Sequence, residues 1–75
     1  MDSKKIITLW TKYTLLSPSL EVDFFESGGD SLSAINMIVE FQKMFGVEIS
    51  LENFMRNPSI NFLLKTIENV YIKVE

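Results

Sequence analysis

The sequence contains neither cysteine nor histidine. Without cysteine the chain can form no disulfide framework and has no thiolate of its own, and without histidine it lacks the commonest general base and metal ligand. Basic residues are also few: the sequence has seven Lys and Arg residues against ten Asp and Glu residues, and the only two adjacent basic residues are Lys4 and Lys5. A nucleic-acid partner needs a basic stripe, so the composition argues against nucleic-acid binding, metal binding and thiol chemistry by the protein itself.

Long hydrophobic runs are missing as well, since no apolar stretch approaches the length that spans a membrane. The N-terminus leads into an amphipathic stretch and not into a signal-peptide core, so we expect a cytoplasmic protein without membrane association. Apolar residues make up 47% of the 75 residues, which suits one folded domain over residues 1–75. The initial Met and the lack of a linker favour a free-standing protein, although a domain cut from a longer chain would look the same.

Apolar periodicity and helix-ending residues predict an all-α bundle of three main helices and one short helix. The predicted helices cover about residues 4–15, 31–45, 51–56 and 60–72, with Ser3, Asp30, Ser50 and Ser59 as their N-caps. Gly46 should end the second helix. Helical spacing assigns to the core two stripes on the first and last helices: Ile6, Leu9, Trp10 and Tyr13, and Ile60, Leu63, Leu64, Ile67 and Tyr71.

A long first loop, residues 16–30, joins the first two helices. A loop of this length without regular structure is unusual and often functional. We expect its apolar residues to pin it across the bundle; these are Leu20, Val22, Phe24 and Phe25. Gly28-Gly29 should give the backbone the freedom for a sharp turn.

The second helix has more apolar residues than one buried face requires. One stripe, assigned to the core, consists of Ala34, Met37, Ile38, Phe41 and Phe45. A second stripe of Leu32, Ile35 and Val39 lies roughly 130° away around the helix. We expect this stripe to be exposed, at least in part, and to dock onto partner enzymes, although Leu32 or Val39 could instead pack against the first loop.

Ser31 is the candidate functional residue, because it starts a helix directly after the Gly-Gly turn. Its hydroxyl should be accessible to another enzyme, and a phosphate attached to it would lie at a helix N-terminus, where anions are stabilised. The neighbouring Asp30 opposes this by charge repulsion, which solvent and salt screen. A serine at a helix start is by itself an ordinary capping residue, so a functional role for Ser31 depends on the surrounding motif.

The surrounding motif resembles the attachment site of carrier proteins, above all the thiolation (peptidyl carrier) domains of nonribosomal peptide synthetases. Those domains read Phe-Phe-x-x-Gly-Gly-Asp/His-Ser-Leu/Ile, and residues 24–32 match this pattern. Residues 45–50 are similar to the family's segment after its second helix, and residues 54–60, which end in Asn57-Pro58-Ser59-Ile60, are similar to the exit of its third helix. The resemblance thus extends over nearly the whole chain.

This resemblance implies that Ser31 carries 4′-phosphopantetheine, received from coenzyme A, with Gly29, Asp30 and Leu32 beside the arm. The thiol of the arm would hold an aminoacyl, peptidyl or acyl cargo as a thioester. The implied partners are a phosphopantetheinyl transferase, an adenylating or acyl-activating enzyme, and downstream condensation, tailoring or thioesterase enzymes. Carrier domains meet such enzymes through the second helix, here through Leu32, Ile35, Asn36 and Val39, and a monomer suits this role.

Three other functions compete with this interpretation. Gly29-Asp30-Ser31-Leu32 spells the nucleophile block of GDSL esterases, but a serine hydrolase needs an activating base and a larger scaffold than 75 residues provide. A fatty-acid, polyketide or D-alanyl carrier would share the fold and the arm but usually lacks the Phe-Phe and Gly-Gly setting. If the chain were an unmodified interaction bundle, its match to the attachment motif would be a coincidence. The sequence therefore predicts a carrier protein and not an enzyme.

Overall fold

The computed structural model describes residues 2–20 and 22–72, and within these it contains four α-helices and no strand. The helices are α1 (Asp2–Lys12), α2 (Ser31–Phe45), α3 (Leu51–Arg56) and α4 (Ile60–Ile72). The predicted all-α bundle of three main helices and one short helix is therefore confirmed. A long connection between α1 and α2 is present, as expected.

Helix α1 ends three residues earlier than predicted, at Lys12 instead of Leu15. The amide of Tyr13 donates to the carbonyl of Trp10 at 3.0 Å, which tightens the last turn. The amides of Leu15 and Leu16 donate to the Ser27 carbonyl, at 2.7 and 3.1 Å, instead of extending the helix. Helix α1 also begins at Asp2, so the prediction of Ser3 as its N-cap was wrong.

The predicted bounds of the other three helices are confirmed, together with their capping residues. Asp30 and Ser50 accept hydrogen bonds from amides three residues later, those of Ser33 and Asn53. The Ser59 hydroxyl accepts the Phe62 amide at 3.0 Å. Gly46 ends α2 in the left-handed conformation, with φ of 66°, which an L side chain adopts at a cost. Local side-chain chemistry thus fixes these helix ends.

The core contains the predicted faces of all the main helices. On α1, Ile6, Leu9 and Trp10 are buried, while Tyr13 is half-buried. On α2, Phe45 is half-buried and the rest of the predicted core stripe is fully buried: Ala34, Met37, Ile38 and Phe41. On α4 the stripe is buried or half-buried through Ile67, and the side chain of Tyr71 lies outside the described residues. Phe54, Val47 and Ile49 complete the core from α3 and the connector before it.

The first loop is anchored by fewer apolar residues than predicted. Phe24 is fully buried and Val22 is partly buried, but Leu20 is 58% exposed and Phe25 is exposed at the surface. The prediction that Leu20 pins the loop was therefore wrong. One buried ring suffices because the Phe24 amide also donates to the Pro58 carbonyl at 2.7 Å, which fixes the same point of the loop to the α3–α4 connection.

Candidate functional site

The segment before Ser31 folds into a compact turn, which the sequence analysis did not predict. The Asp23 carboxylate accepts the Glu26 amide at 2.8 Å, and the Glu26 carboxylate accepts the Asp23 amide at 3.1 Å. The Ser27 amide donates to the Asp23 carbonyl at 3.0 Å and closes the turn. This reciprocal pairing has the form of a capping box, so the acidic pair three residues apart was the signal that could have revealed it.

Ser27 is a second structural residue that sequence reasoning missed. It is fully buried, and its carbonyl accepts the amides of both Leu15 and Leu16, which follow α1. Its hydroxyl has no hydrogen-bond partner among the described residues. Ser27 therefore connects the two ends of the loop through hydrogen bonds. These bonds fix the position from which Gly28 and Gly29 continue toward α2.

The two glycines are required for different reasons. Gly28 has φ of 103°, a conformation that L side chains rarely adopt. Gly29 is outside that region, but a Cβ built on it would lie 2.6 Å from two ring atoms of Phe24 and closer still to a third. The expected backbone freedom thus applies to Gly28, whereas Gly29 is a glycine because the Phe24 ring occupies the space beside it.

Ser31 is exposed and is the first residue of α2. The preceding Asp30 has extended backbone and caps the helix, with its Oδ1 accepting the Ser33 amide at 2.8 Å. This hydrogen bond is the main cause that lowers the pKa of Asp30 below its ordinary value. The site therefore presents an accessible hydroxyl, a helix N-terminus and one ionised carboxylate that is engaged by the backbone.

The second apolar stripe of α2 is exposed beside Ser31. Leu32 is 67% exposed, Ile35 42% and Val39 44%, while Asn36 on the same side of the helix is also exposed. The expected exposure of the stripe is thus observed. These four residues lie along roughly the first two and a half turns of α2, which begins directly after Gly29 and Asp30.

A charged cluster fixes the far part of this helix to α1. Lys12 Nζ lies 3.0 Å from both carboxylate oxygens of Glu40, and the Tyr13 hydroxyl donates to Glu40 Oε1 at 2.6 Å. The hydrogen bond from Tyr13, followed by that from Lys12, lowers the pKa of Glu40. The bond to Glu40 in turn raises the pKa of both Lys12 and Tyr13. Helix α2 is therefore held at its side by polar contacts as well as by its core face.

Residues 4–67 match the family model described as the phosphopantetheine attachment site. Indigoidine synthase of Streptomyces lavendulae is 35% identical over 66 residues, which are 87% of this chain and 5% of that protein. The dapdiamide synthesis protein DdaD of Enterobacter agglomerans is 34% identical over 73 residues, which are 95% of this chain and 12% of that protein. The chain thus spans only a small part of the length of these relatives.

A solved structure shares the fold. It is a solution structure of a non-covalent docking-domain complex of the Pax nonribosomal peptide synthetase, with a TM-score of 0.79 and 26% identity, and the match covers 92% of this chain and 67% of that chain. The carrier-like bundle and the covalent cofactor implied by the resemblance, 4′-phosphopantetheine, are thereby confirmed. No helix in the described part of the chain is long and apolar enough to cross a membrane. The chain belongs to the phosphopantetheine attachment-site family, and it shares its fold with a carrier-containing structure of a nonribosomal peptide synthetase.

Proposed function

We propose that Ser31 receives the 4′-phosphopantetheine arm and that the chain thereby carries a thioester-bound cargo between enzymes. The observation that carries this proposal is the exposed hydroxyl of Ser31 at the first position of α2, behind a turn that is fixed to the core. A buried hydroxyl could not reach the active site of another enzyme. A hydroxyl on a mobile linker would have no defined position for that enzyme to recognise.

The residues around Ser31 fit a phosphodiester-linked arm. The amino end of α2 carries partial positive charge, which stabilises an attached phosphate. The Asp30 carboxylate, which accepts the Ser33 amide, repels this phosphate, but solvent and salt screen the repulsion. Gly29 adds no side chain on one side of the serine, and Leu32 offers an apolar contact on the other. When bound, the arm supplies a terminal thiol, which the cysteine-free chain lacks.

The attachment reaction requires chemistry that this chain does not provide. A bond forms between Ser31 Oγ and the phosphorus of the pantetheine phosphate, the pyrophosphate bond of coenzyme A breaks, and adenosine 3′,5′-bisphosphate leaves. The hydroxyl proton must pass to a base, yet the chain has no histidine and the Asp30 carboxylate already accepts a backbone amide. We infer that a separate phosphopantetheinyl transferase supplies the base, and that the chain is not itself an enzyme.

We propose an aminoacyl or peptidyl cargo, because the similar solved structure comes from a nonribosomal peptide synthetase. The chain would then meet an adenylating enzyme that loads it and a condensation, tailoring or thioesterase enzyme that unloads it. Tethering raises the effective concentration of the cargo at each active site. A fatty-acid, polyketide or D-alanyl carrier is the alternative, and an activation assay with amino acids and fatty acids distinguishes the two.

The exposed stripe of α2 is the proposed docking surface for these enzymes. Leu32, Ile35 and Val39 present apolar side chains to solvent beside Ser31, and Asn36 adds a polar group. A small apolar patch suits a partner that must bind and then release the carrier. We further propose that residues 1–75 act as a single monomeric domain in the cytoplasm, where coenzyme A is available to the transferase.

A mass measurement tests the attachment site. Incubation of the chain with coenzyme A and a broad-specificity phosphopantetheinyl transferase should add the mass of one phosphopantetheine, and Ser31→Ala should abolish the gain. Ser33→Ala is the matched control, because it removes a serine hydroxyl from the same helical turn and should leave modification intact. A wild-type chain that never gains mass, or a Ser31→Ala variant that still gains it, would refute the proposal.

A further inference from the structure

Phe24 lies at the junction of three parts of the molecule. Its ring is fully buried and makes edge-to-face contacts with Trp10 of α1, Phe25 of the loop and Phe54 of α3, at centroid distances of 5.3, 5.5 and 5.9 Å. Its amide donates to the Pro58 carbonyl at 2.7 Å. Because rings and backbone are both held, Phe24 cannot move aside without disturbing the aromatic core.

Gly29 rests directly on this fixed ring. Its amide donates to the Phe24 carbonyl at 3.0 Å, and the space that a Cβ would need is filled by the ring edge. Its φ is not positive, so the backbone itself would accept another residue. The close approach of the Gly29 backbone to the Phe24 ring therefore sets how near the chain comes to the core just before α2.

One residue separates Gly29 from Ser31. Asp30 follows Gly29 and caps α2 through the Ser33 amide, so a displacement at Gly29 moves the cap and the first turn together. From this geometry we propose that Phe24, acting through Gly29, is a positioning residue that sets the place of Ser31 for phosphopantetheine transfer. This inference rests on the proposed function of Ser31.

The test compares kinetics of phosphopantetheine transfer by a broad-specificity transferase. Gly29→Ala inserts a Cβ against the ring and should lower kcat by roughly tenfold or more, because small misplacements of a reacting group are costly. The KM for the carrier should change little. A purely structural loss would instead reduce the folded fraction, which raises the apparent KM and leaves kcat unchanged.

Gly46→Ala is the matched control for this substitution. It also adds one methyl group to a glycine and strains the backbone at φ of 66°, but it faces open space at the other end of α2. It should therefore lower the urea midpoint without lowering kcat. An equal loss of kcat in both variants would overturn the inference.

A rescue variant separates the ring contact from other effects of the new methyl group. Phe24→Leu removes the ring edge, so adding Gly29→Ala to Phe24→Leu should cost no more than about threefold in kcat, a non-additive result. This comparison also applies if Gly29→Ala alone does not fold. A double variant that fails to fold, or that loses as much kcat as Gly29→Ala in the native background, would overturn the inference.

The outcomes distinguish this inference from the proposed function. If the wild-type chain is not modified on Ser31, the proposed function fails. If the wild-type chain is modified and Gly29→Ala shows the native kcat, the attachment site stands and only the positioning role of Phe24 is refuted.

Discussion

Asp30 has two opposing effects at the start of α2. Its carboxylate caps the helix and complements the partial positive charge of the helix N-terminus. The same carboxylate lies next to the residue that we propose to carry a phosphate. The hydrogen bond from the Ser33 amide favours the ionised form and lowers the pKa of Asp30, so the cap is ionised at neutral pH.

This pKa shift predicts a pH dependence for the stability of the chain. A carboxyl whose pKa is lowered by folding contributes stability above its ordinary pKa, and the contribution is lost as the pH falls through the lower pKa of the folded chain. Asp30→Asn keeps a good capping side chain without the charge. We therefore expect the stability advantage of the wild type over Asp30→Asn to shrink on acidification, as measured by urea unfolding at several pH values.

The difference between the two proteins is the informative quantity, because the other carboxyl groups titrate in both. Asp23→Asn is the control for the neighbouring turn, because it removes the charge of the carboxylate that accepts the Glu26 amide. A difference between wild type and Asp30→Asn that stays constant from neutral pH to below the pKa of Asp30 would contradict the prediction.

At the scale of elements, α2 is notable for its two apolar faces. One face lies in the core, and the other presents Leu32, Ile35 and Val39 to solvent. An apolar face that the fold does not need is costly to leave in water unless a partner covers it. The exposed face therefore gives a prediction about recognition and not about stability.

Ile35→Asp should weaken recognition by the transferase while the fold stays intact. Placing a charge in the middle of an apolar contact commonly costs about 1–2 kcal/mol, so the KM for the carrier should rise by roughly five- to thirtyfold. The matched control is Val70→Asp on α4, because Val70 and Ile35 are both 42% exposed. An Ile35→Asp variant that is folded and has the KM of Val70→Asp would contradict docking of the transferase on this face.

The end of α1 illustrates what periodicity along one element cannot predict. The sequence from Tyr13 to Leu15 is compatible with helix, and the nearest strong breaker is Pro18. The helix stops at Lys12 because Leu15 and Leu16 find an acceptor in Ser27, eleven or more residues along the chain. Hydrogen bonds to a distant segment overrode the local preference.

At the scale of the whole molecule, an aromatic cluster joins the helices to the first loop. Phe54 of α3 contacts Phe24 of the loop and Phe62 of α4, and Phe24 contacts Trp10 of α1. A domain of 75 residues has a small core and a stability of only about 4–11 kcal/mol, at about 0.05–0.15 kcal/mol per residue. Loss of one central ring should therefore affect the entire fold.

Phe54→Ala should destabilise the chain by about 3–5 kcal/mol, since a fully buried ring is replaced by a cavity. Urea unfolding followed by circular dichroism measures the effect. Leu16→Ala is the control, because Leu16 is exposed and a surface truncation should change the stability by no more than about 0.5 kcal/mol. Equal urea midpoints for Phe54→Ala and the wild type would show that the cluster does not hold the elements together.

The sequence alone determined the parts of this protein that depend on neighbouring residues. Helices α2, α3 and α4 begin directly after Asp30, Ser50 and Ser59, because these capping side chains accept amides three residues later. The motif around Ser31 also predicted the family and its cofactor, since both follow from a local string of residues.

Tertiary structure decided the features that depend on residues far apart in the chain. The early end of α1, the exposure of Leu20 and the close contact of Gly29 with Phe24 each arise from packing between segments. Hydrogen bonds and steric overlap act only between atoms a few ångströms apart in space. The separation of two residues along the chain does not say whether they come this close. The position of the Ser31 hydroxyl combines both levels, because a local cap starts its helix and a distant ring holds the turn before it.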